Sequence, residues 1–457
     1  MNKKAVVIGA GISGLAAAYL LKQKGYDVVV VEKKNEPGGT IETACEEGFL
    51  YDYGPANALD TTPLITKFIN ELQLNDQFIF ADKAAYKRYI LRKNFLHQLP
   101  ITPSAIIKSK LLSQKAKLRL LCEPLIGKSK DGYHQSLAEF SSRRLGKEFL
   151  DYVINPLAAD VYAGNPESLS VKSAFPNLYS LEEKYKSIIW GTFKSIRERR
   201  KSSSKQKKSG KTFSFKDGMN VLPKALAAKI GEALLLQTEA KKIEKSEEGY
   251  LIQCTHKGEN ISIYSNVVIS SIPAFIASDL FRSFGEGIAK HLSEIYYAPV
   301  LVHYLAYKKE NVKRTLDGYG FLVPAKERKS IYSSIWNSVI FQNRSPEDMA
   351  LFSIYIGGAR NTEILSLDKE LLFMKVRGEF ENIMNITGEP VKSSYRFWPK
   401  AIPQYSIGHN DHELYFGYFE KKNPGIILTG SYRGGISIGD CIKSSEIAAE
   451  KAILLLQ

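Results

Sequence analysis

Cysteine is scarce: the four residues Cys45, Cys122, Cys254 and Cys441 lie too far apart to form a Cys-x-x-Cys pair. That spacing excludes the common zinc and thioredoxin patterns and suits reduced, buried thiols. Histidine is also sparse, seven in all, and only His409 and His412 stand close together. No further ligand cluster accompanies them in the sequence, so no metal site is expected. Long apolar runs are missing too. No eighteen consecutive residues are free of charges or loop breakers, so no transmembrane helix is expected. After Met1-Asn2-Lys3-Lys4 the chain enters Ala5-Val6-Val7-Ile8-Gly9, not an apolar core with a small-residue cleavage site. A signal peptide is therefore not expected, and the expected compartment is the cytoplasm.

What is present is a chain of 457 residues, 44% hydrophobic and 24% charged, about three times the usual domain size. It is long enough to bury a large core, and two or three substructures are expected. The net charge of +15 is unevenly spread. Residues 82–130 hold twelve Lys/Arg against two acids, and residues 194–211 hold nine against one, leaving the remainder slightly acidic. The second run is rich in Ser and Lys and reads as a flexible surface linker. It carries no helix-turn-helix, RNP or zinc-finger signature, so no nucleic-acid partner is expected. In the first run Ile106-Ile107, Leu111-Leu112, Leu118 and Leu120-Leu121 recur at near-helical spacing, with Lys108, Lys110, Lys115, Lys117 and Arg119 between them. Such a basic amphipathic helix suits either a membrane interface or an ordinary subdomain whose stripe faces the core.

Ala5-Val6-Val7-Ile8 reads as a strand, Gly9-Ala10-Gly11-Ile12-Ser13-Gly14 as a turn, and Leu15 to Lys24 as an Ala/Leu-rich helix closed by Gly25. A second strand, Tyr26-Asp27-Val28-Val29-Val30-Val31, ends at Glu32. In this setting Gly9 permits the tight turn, Gly11 lets a pyrophosphate approach the backbone, and Gly14 lets helix and strand pack closely. The helix start supplies N–H donors for phosphates. Glu32 would accept hydrogen bonds from a ribose diol and repel a 2′-phosphate, which makes NADP the least suitable dinucleotide.

A glycine pair follows in Glu32-Lys33-Lys34-Asn35-Glu36-Pro37-Gly38-Gly39-Thr40, and Gly54-Pro55 ends a third glycine-bearing stretch. NAD-type domains do not usually need them. Near the C-terminus, Gly425-Ile426-Ile427-Leu428-Thr429-Gly430 reads as a strand. It runs into Ser431-Tyr432-Arg433-Gly434-Gly435-Ile436-Ser437-Ile438-Gly439 and a helix. With these motifs the chain resembles the FAD-containing amine oxidase superfamily. The resemblance implies FAD as cofactor. It implies binding by Gly9, Gly11, Ile12, Ser13, Gly14, Glu32, Lys33, Gly38, Gly39, Thr40, Gly54, Pro55, Ala240, Gly430, Gly435, Ile436, Ser437 and Ile438. N–H donors of the C-terminal turn would stabilise negative charge on the reduced flavin. Gly435-Ile436-Ser437-Ile438-Gly439 also matches a hydrolase nucleophile elbow, but that chemistry needs a histidine after the serine, and none follows Ser437.

More specific blocks lie in the middle of the chain. Asp160-Val161-Tyr162-Ala163-Gly164-Asn165-Pro166-Glu167-Ser168-Leu169-Ser170-Val171, Phe213 to Leu222, and Trp398-Pro399-Lys400-Ala401-Ile402-Pro403-Gln404-Tyr405 resemble the protoporphyrinogen/coproporphyrinogen oxidases over essentially the whole chain. The resemblance implies a porphyrinogen substrate, dioxygen as electron acceptor and hydride transfer to FAD N5. No catalytic side chain is expected, and ferrochelatase is a candidate partner. It also implies substrate contacts at Asn57, Arg92, His97, Leu322 and Val323, with Arg88 and Lys93 as further partners for the propionates. Three positions depart from the family pattern: Glu42 where many members are basic or amide, Ala56 before Asn57, and His97 where some relatives have Arg. A carotenoid desaturase, an amine oxidase and a GDP-dissociation-inhibitor-like binding protein are the alternatives.

The expected fold is α/β. It comprises a discontinuous FAD-binding Rossmann-like domain (1–82, 212–290, 418–457), a helical basic subdomain able to meet a membrane (83–211), and a substrate-binding sheet domain (291–417).

Overall fold

The computed structural model describes residues 3–100, 102–129, 131, 133–201 and 210–457. Its nucleotide-type half is a five-stranded parallel sheet in the order Leu234–Leu235, Asp27–Val31, Lys4–Ile8, Val267–Ser270, Ile426–Leu428. Runs of Val and Ile form these strands because both faces are buried, which favours continuous β-branched sequence over alternation. One face is covered by the helices Ile12–Gln23 and Ile438–Leu456, which pack on each other through Ala16, Ala17, Ala448 and Ala449. The antiparallel meander Thr238–Ser246, Gly249–His256, Glu259–Ser265 lies on the other side.

The second half is built on a seven-stranded sheet in the order Lys392–Pro403, Tyr297–Lys308, Met349–Gly357, Ile331–Trp336, Gly320–Leu322, Arg88–Arg92, Phe95–Gln98. One face buries Trp336, Phe352 and Ile354 against the helix Lys369–Met384. The other carries Val300, Val302, Tyr304 and Tyr332 toward Tyr51 and Phe49.

Two expectations are corrected. Residues 83–211 are not wholly helical: the hairpin Arg88–Gln98 leaves that region and completes the large sheet, pairing in parallel with Gly320–Leu322. Within 194–211, residues 194–201 end the helix Ile188–Lys201 rather than forming a linker, and 202–209 lie outside the described residues. That helix is anchored at its start, where the buried Glu123 carboxylate accepts from the Ile188 and Ile189 N–H groups and from Ser187 Oγ. The basic amphipathic stretch forms two short helices, Pro103–Lys108 and Gln114–Leu121. Leu111, Leu112 and Leu120 enter the core, while Ile107, Leu118 and Leu121 face solvent. Among the described residues no helix is long and apolar enough to cross a membrane.

Candidate active site

At the nucleotide end, Gly9 adopts φ +101°, and a Cβ on it would lie 2.9 Å from Ser271 Oγ. A Cβ on Gly14 would lie 2.0 Å from the Gly9 carbonyl oxygen, so only glycine lets the helix start this close to the strand end. Gly11 is different. Its φ is −72°, and a Cβ there would meet nothing within 4 Å. Space is therefore left open above the helix N-terminus, where Gly11 contributes no side-chain cap to the first-turn N–H groups. Gly38 bridges to Gly11, its N–H donating to the Ala10 carbonyl at 2.8 Å. Gly39 lies against Gly11 Cα, and Gly54 is packed on the Thr40 carbonyl. The three glycine-bearing stretches thus converge on one loop, leaving a lined opening at N–H donors that fits a dinucleotide phosphate.

Glu32 Oε2 accepts from the Ala10 N–H at 2.7 Å and Oε1 from the Lys34 N–H at 2.9 Å, which fixes the carboxylate at the strand end. Lys33 turns away to Glu239 at 3.0 Å. Ala240 sits at a bulge in the strand whose first residue, Thr238, donates its N–H to the Glu32 carbonyl at 2.7 Å.

At the other end of the site, Tyr405 organises the turn 430–437. Its hydroxyl accepts from the Gly435 N–H at 2.7 Å and donates to the Ser431 carbonyl at 2.9 Å. Ser437 caps the last helix by accepting from the Asp440 N–H at 3.1 Å. Ser445 on that helix donates to the Ser13 carbonyl at 2.8 Å, joining the C-terminal turn to the first glycine turn. Arg433 is held by Glu413 at 3.0 Å and by Glu420. Glu42 pairs with Arg396 at 2.6 Å, and Trp398 Nε1 donates to the Tyr53 carbonyl at 2.8 Å.

On the large sheet, around Arg88 of the strand Arg88–Arg92, lies a polar cluster with aromatic neighbours. Asn57 Nδ2 donates to Tyr319 Oη at 2.8 Å, and the Arg88 guanidinium lies 4.1 Å from the Tyr319 ring centre. Arg88 pairs with Asp160 at 2.9 Å, and Ser333 Oγ donates to the second carboxylate oxygen at 2.9 Å. Asp160 projects from the helix Asn155–Tyr162, whose Pro156 lacks an N–H, and the preceding turn Leu150–Ile154 widens to a π-helical one. Tyr332 and Tyr355 stand 6.1 Å apart. Arg360 donates to Asn155 Oδ1 and to the Val323 carbonyl, both at 2.7 Å. Burial lowers the Arg360 pKa to about 10. Burial opposes the charge on Arg88 as well, but Tyr319 and Asp160 outweigh it and raise its pKa.

The structure redirects several of the expected substrate residues. Arg92 is committed to Glu148 at 2.7 Å and stacks on Tyr152, so its guanidinium faces the helical region. His97 is held below its ordinary pKa by burial and by Arg92, which leaves it neutral. Leu322 packs with Ile90, Leu111 and Tyr152, whereas Val323 lies in the core between the sheet and the Lys369–Met384 helix. Asp160, Tyr319, Tyr332, Tyr355 and Arg360 had no place among the expected site residues. A strand aromatic has no sequence mark that separates a neighbour of a buried cation from an ordinary core residue, and Asp160 is 72 residues from its partner.

The sequence pattern of flavin-containing amine oxidoreductases matches residues 12–453. The chain is 31% identical to protoporphyrinogen oxidase 2 of Arabidopsis thaliana, over 100% of this chain and 95% of that one. It is 26% identical to coproporphyrinogen III oxidase of Bacillus subtilis, covering 100% and 99%. A proposed protoporphyrinogen oxidase from Exiguobacterium sp. 255-15 shares the fold, with TM-score 0.82, 22% identity and complete coverage of both chains. With glycine loops that converge on an open phosphate cradle and a match running almost end to end, the chain belongs to the flavin-containing amine oxidoreductase family and is an FAD-dependent oxidoreductase.

Proposed function

We propose that this protein oxidises protoporphyrinogen IX to protoporphyrin IX in haem synthesis, with dioxygen as acceptor and hydrogen peroxide released. Bound FAD supplies the two-electron oxidation, used three times per macrocycle. The carrying observation is a pair of cations on tyrosine faces, Arg88 at 4.1 Å from the Tyr319 ring centre and Arg360 at 6.0 Å from that of Tyr332, with Tyr355 beside Tyr332. Tyrosine walls suit a flat apolar ring, and a guanidinium suits a propionate through its planar fork. Gly9, Gly11, Gly14, Gly38 and Gly39 would hold the phosphates, Glu32 a ribose, and the 430–438 turn the flavin ring. Arg92 turns toward Glu148 and Tyr152 in the helical region, and burial and Arg92 hold the His97 pKa down, so neither adds a cation to Arg88 and Arg360. That supports a substrate with two carboxylates over coproporphyrinogen, which has four.

The exposed apolar side chains Leu118, Leu121 and Leu125 lie on the Gln114–Leu121 helix and the Glu123–Leu125 turn, and that turn packs on the Ile188–Lys201 helix, which exposes Trp190 and Phe193 and carries Lys194. This face would rest on the cytoplasmic surface of a membrane, where a lipophilic substrate and product partition and ferrochelatase could receive the product.

The test compares initial rates of porphyrin fluorescence from protoporphyrinogen IX and coproporphyrinogen III, using FAD-loaded protein and an autoxidation control. A higher rate with protoporphyrinogen is expected. The reverse preference assigns the four-carboxylate substrate, and no rate above control with either removes porphyrinogens altogether.

A further inference from the structure

The helices Glu286–Ser293 and His409–Lys422 pack against each other. His291 lies on the first, Glu294 caps its C-terminus, and His412 lies in the first turn of the second. The two imidazoles face one another with Nδ1 atoms 2.9 Å apart and ring planes 82° apart. One nitrogen of each ring and a Glu294 carboxylate oxygen all lie within 4.8 Å of one another. A ring-to-ring N–H···N bond would use the two nitrogens but give the carboxylate no part. Its ion-pair neighbour Lys290 is 3.8 Å away on an exposed side of the same helix.

The ring positions are fixed from behind. Tyr415 stacks on His291 at 4.0 Å and 15°, and Phe416 stacks beside His412 at 6.4 Å. Two imidazoles and one carboxylate, partly open to solvent, form the ligand set of a three-residue site for a borderline divalent ion. The absence of any thiolate from the set disfavours soft monovalent copper.

We infer that His291 Nδ1, His412 Nδ1 and the Glu294 carboxylate bind a divalent transition ion of the zinc type, with water completing the tetrahedron. The ion ties the two helices together. It acts next to Glu413, one residue along from His412, which holds Arg433 of the flavin-side turn. The site is structural and owes nothing to the identity of the organic substrate.

Untagged, FAD-loaded, full-length protein would be stripped with a chelator and dialysed to equilibrium against micromolar Zn²⁺, and bound metal counted. One zinc per chain is expected, with a rise in melting temperature. Glu294→Gln and His291→Ala would each weaken binding by at least about tenfold, the scale seen even for indirect supporting groups. Both positions are at the surface or half-buried, so these variants are expected to fold, and unchanged flavin absorbance checks that. Absence of stoichiometric zinc in the wild type would overturn the inference. So would one equivalent retained in both variants, because the ion would then sit elsewhere, such as at exposed Cys45 or Cys122.

Discussion

Arg88 and Asp160 meet at 2.9 Å across 72 residues of sequence, and the pair joins the last strand but one of the large sheet to the helix after the π-helical turn. Ser333 holds the other oxygen of Asp160, so the carboxylate orients Arg88 from one side only. If Arg88 takes a propionate on its remaining edge, Arg88→Ala removes a charge-assisted bond of about 2 kcal/mol. KM for protoporphyrinogen would then rise by roughly thirtyfold. Asp160→Asn keeps an acceptor for Arg88 but removes the competing charge, so KM should fall. Steady-state kinetics on both variants separate these effects, and equal KM values in all three proteins would remove Arg88 from the substrate site.

Two glycines of one turn should behave oppositely. Gly14→Ala drives a Cβ into the Gly9 carbonyl, and overpacking of this kind costs about 3 kcal/mol at its upper end. Gly11→Ala meets only open space at an ordinary φ, so the protein without flavin should melt as the wild type does. With FAD present, the added methyl occupies the approach to the phosphates, and the purified variant should be pale. Thermal melts with and without FAD, alongside the flavin-to-protein absorbance ratio, check both halves.

The first glycine turn was legible because its main constraint is local: Gly9 needs a positive φ, and Gly14 packs on the Gly9 carbonyl five residues back. The strand runs 300–307 and 351–356 were legible for the same reason, since apolar β-branched and aromatic residues fill the strands Tyr297–Lys308 and Met349–Gly357. Arg88 and Arg92 were not separable, because residues four apart on a strand share a face. What divides them is register: Arg88 lies opposite Gly320, while Arg92 extends past the last pair, Leu322 with Ile90, into the hairpin end beside Glu148. Register between strands some 230 residues apart has no local signature. The same holds for His291 and His412, brought together by helix packing.

Tyr405 fixes the turn 430–437 through one hydroxyl. Tyr405→Phe leaves the Gly435 N–H without its partner, at a cost of about 1–3 kcal/mol for a buried donor. Because that turn is also proposed to meet the flavin, FAD should dissociate more readily from the variant than from the wild type. Flavin fluorescence released on dilution measures it, and an unaltered off-rate would detach Tyr405 from the cofactor site.

Two buried histidines set a pH dependence. Burial lowers the pKa of His303 from 6.5 to about 4, and burial followed by His412 lowers His409 from 6.5 to about 4. Between these values the unfolded chain takes up protons that the folded one refuses. Stability from each is therefore complete above pH 6.5 and drains as pH falls to 4, by up to about 3 kcal/mol per histidine. His303 bonds Ser393 Oγ at 3.0 Å, a contact that glutamine can keep. In urea unfolding, the wild type should lose about 2 kcal/mol more than His303→Gln between pH 7 and pH 5. Parallel losses would mean His303 titrates normally.

The last prediction concerns the apolar face of the helical region. Leu118, Leu121 and Leu125 are 65%, 67% and 85% exposed, beside Trp190 at 56% and Phe193 at 54%. Water-exposed leucines this close to lysines suit an interface in which the apolar groups enter the acyl boundary and each cation contributes about 1 kcal/mol against anionic headgroups. The wild type should therefore float with anionic vesicles, less so with zwitterionic ones, and less again at high salt as screening shortens the reach of the lysines. A Leu118→Glu/Leu121→Glu/Leu125→Glu variant should stay in the aqueous fraction while oxidising detergent-dispersed substrate at the wild-type rate, because none of the three touches the polar cluster at Arg88. The core partners Leu111, Leu112 and Leu120 are left intact, so the fold should persist. Equal flotation of variant and wild type would move the membrane contact to another face. Failure of the wild type to float would leave these leucines as ordinary surface.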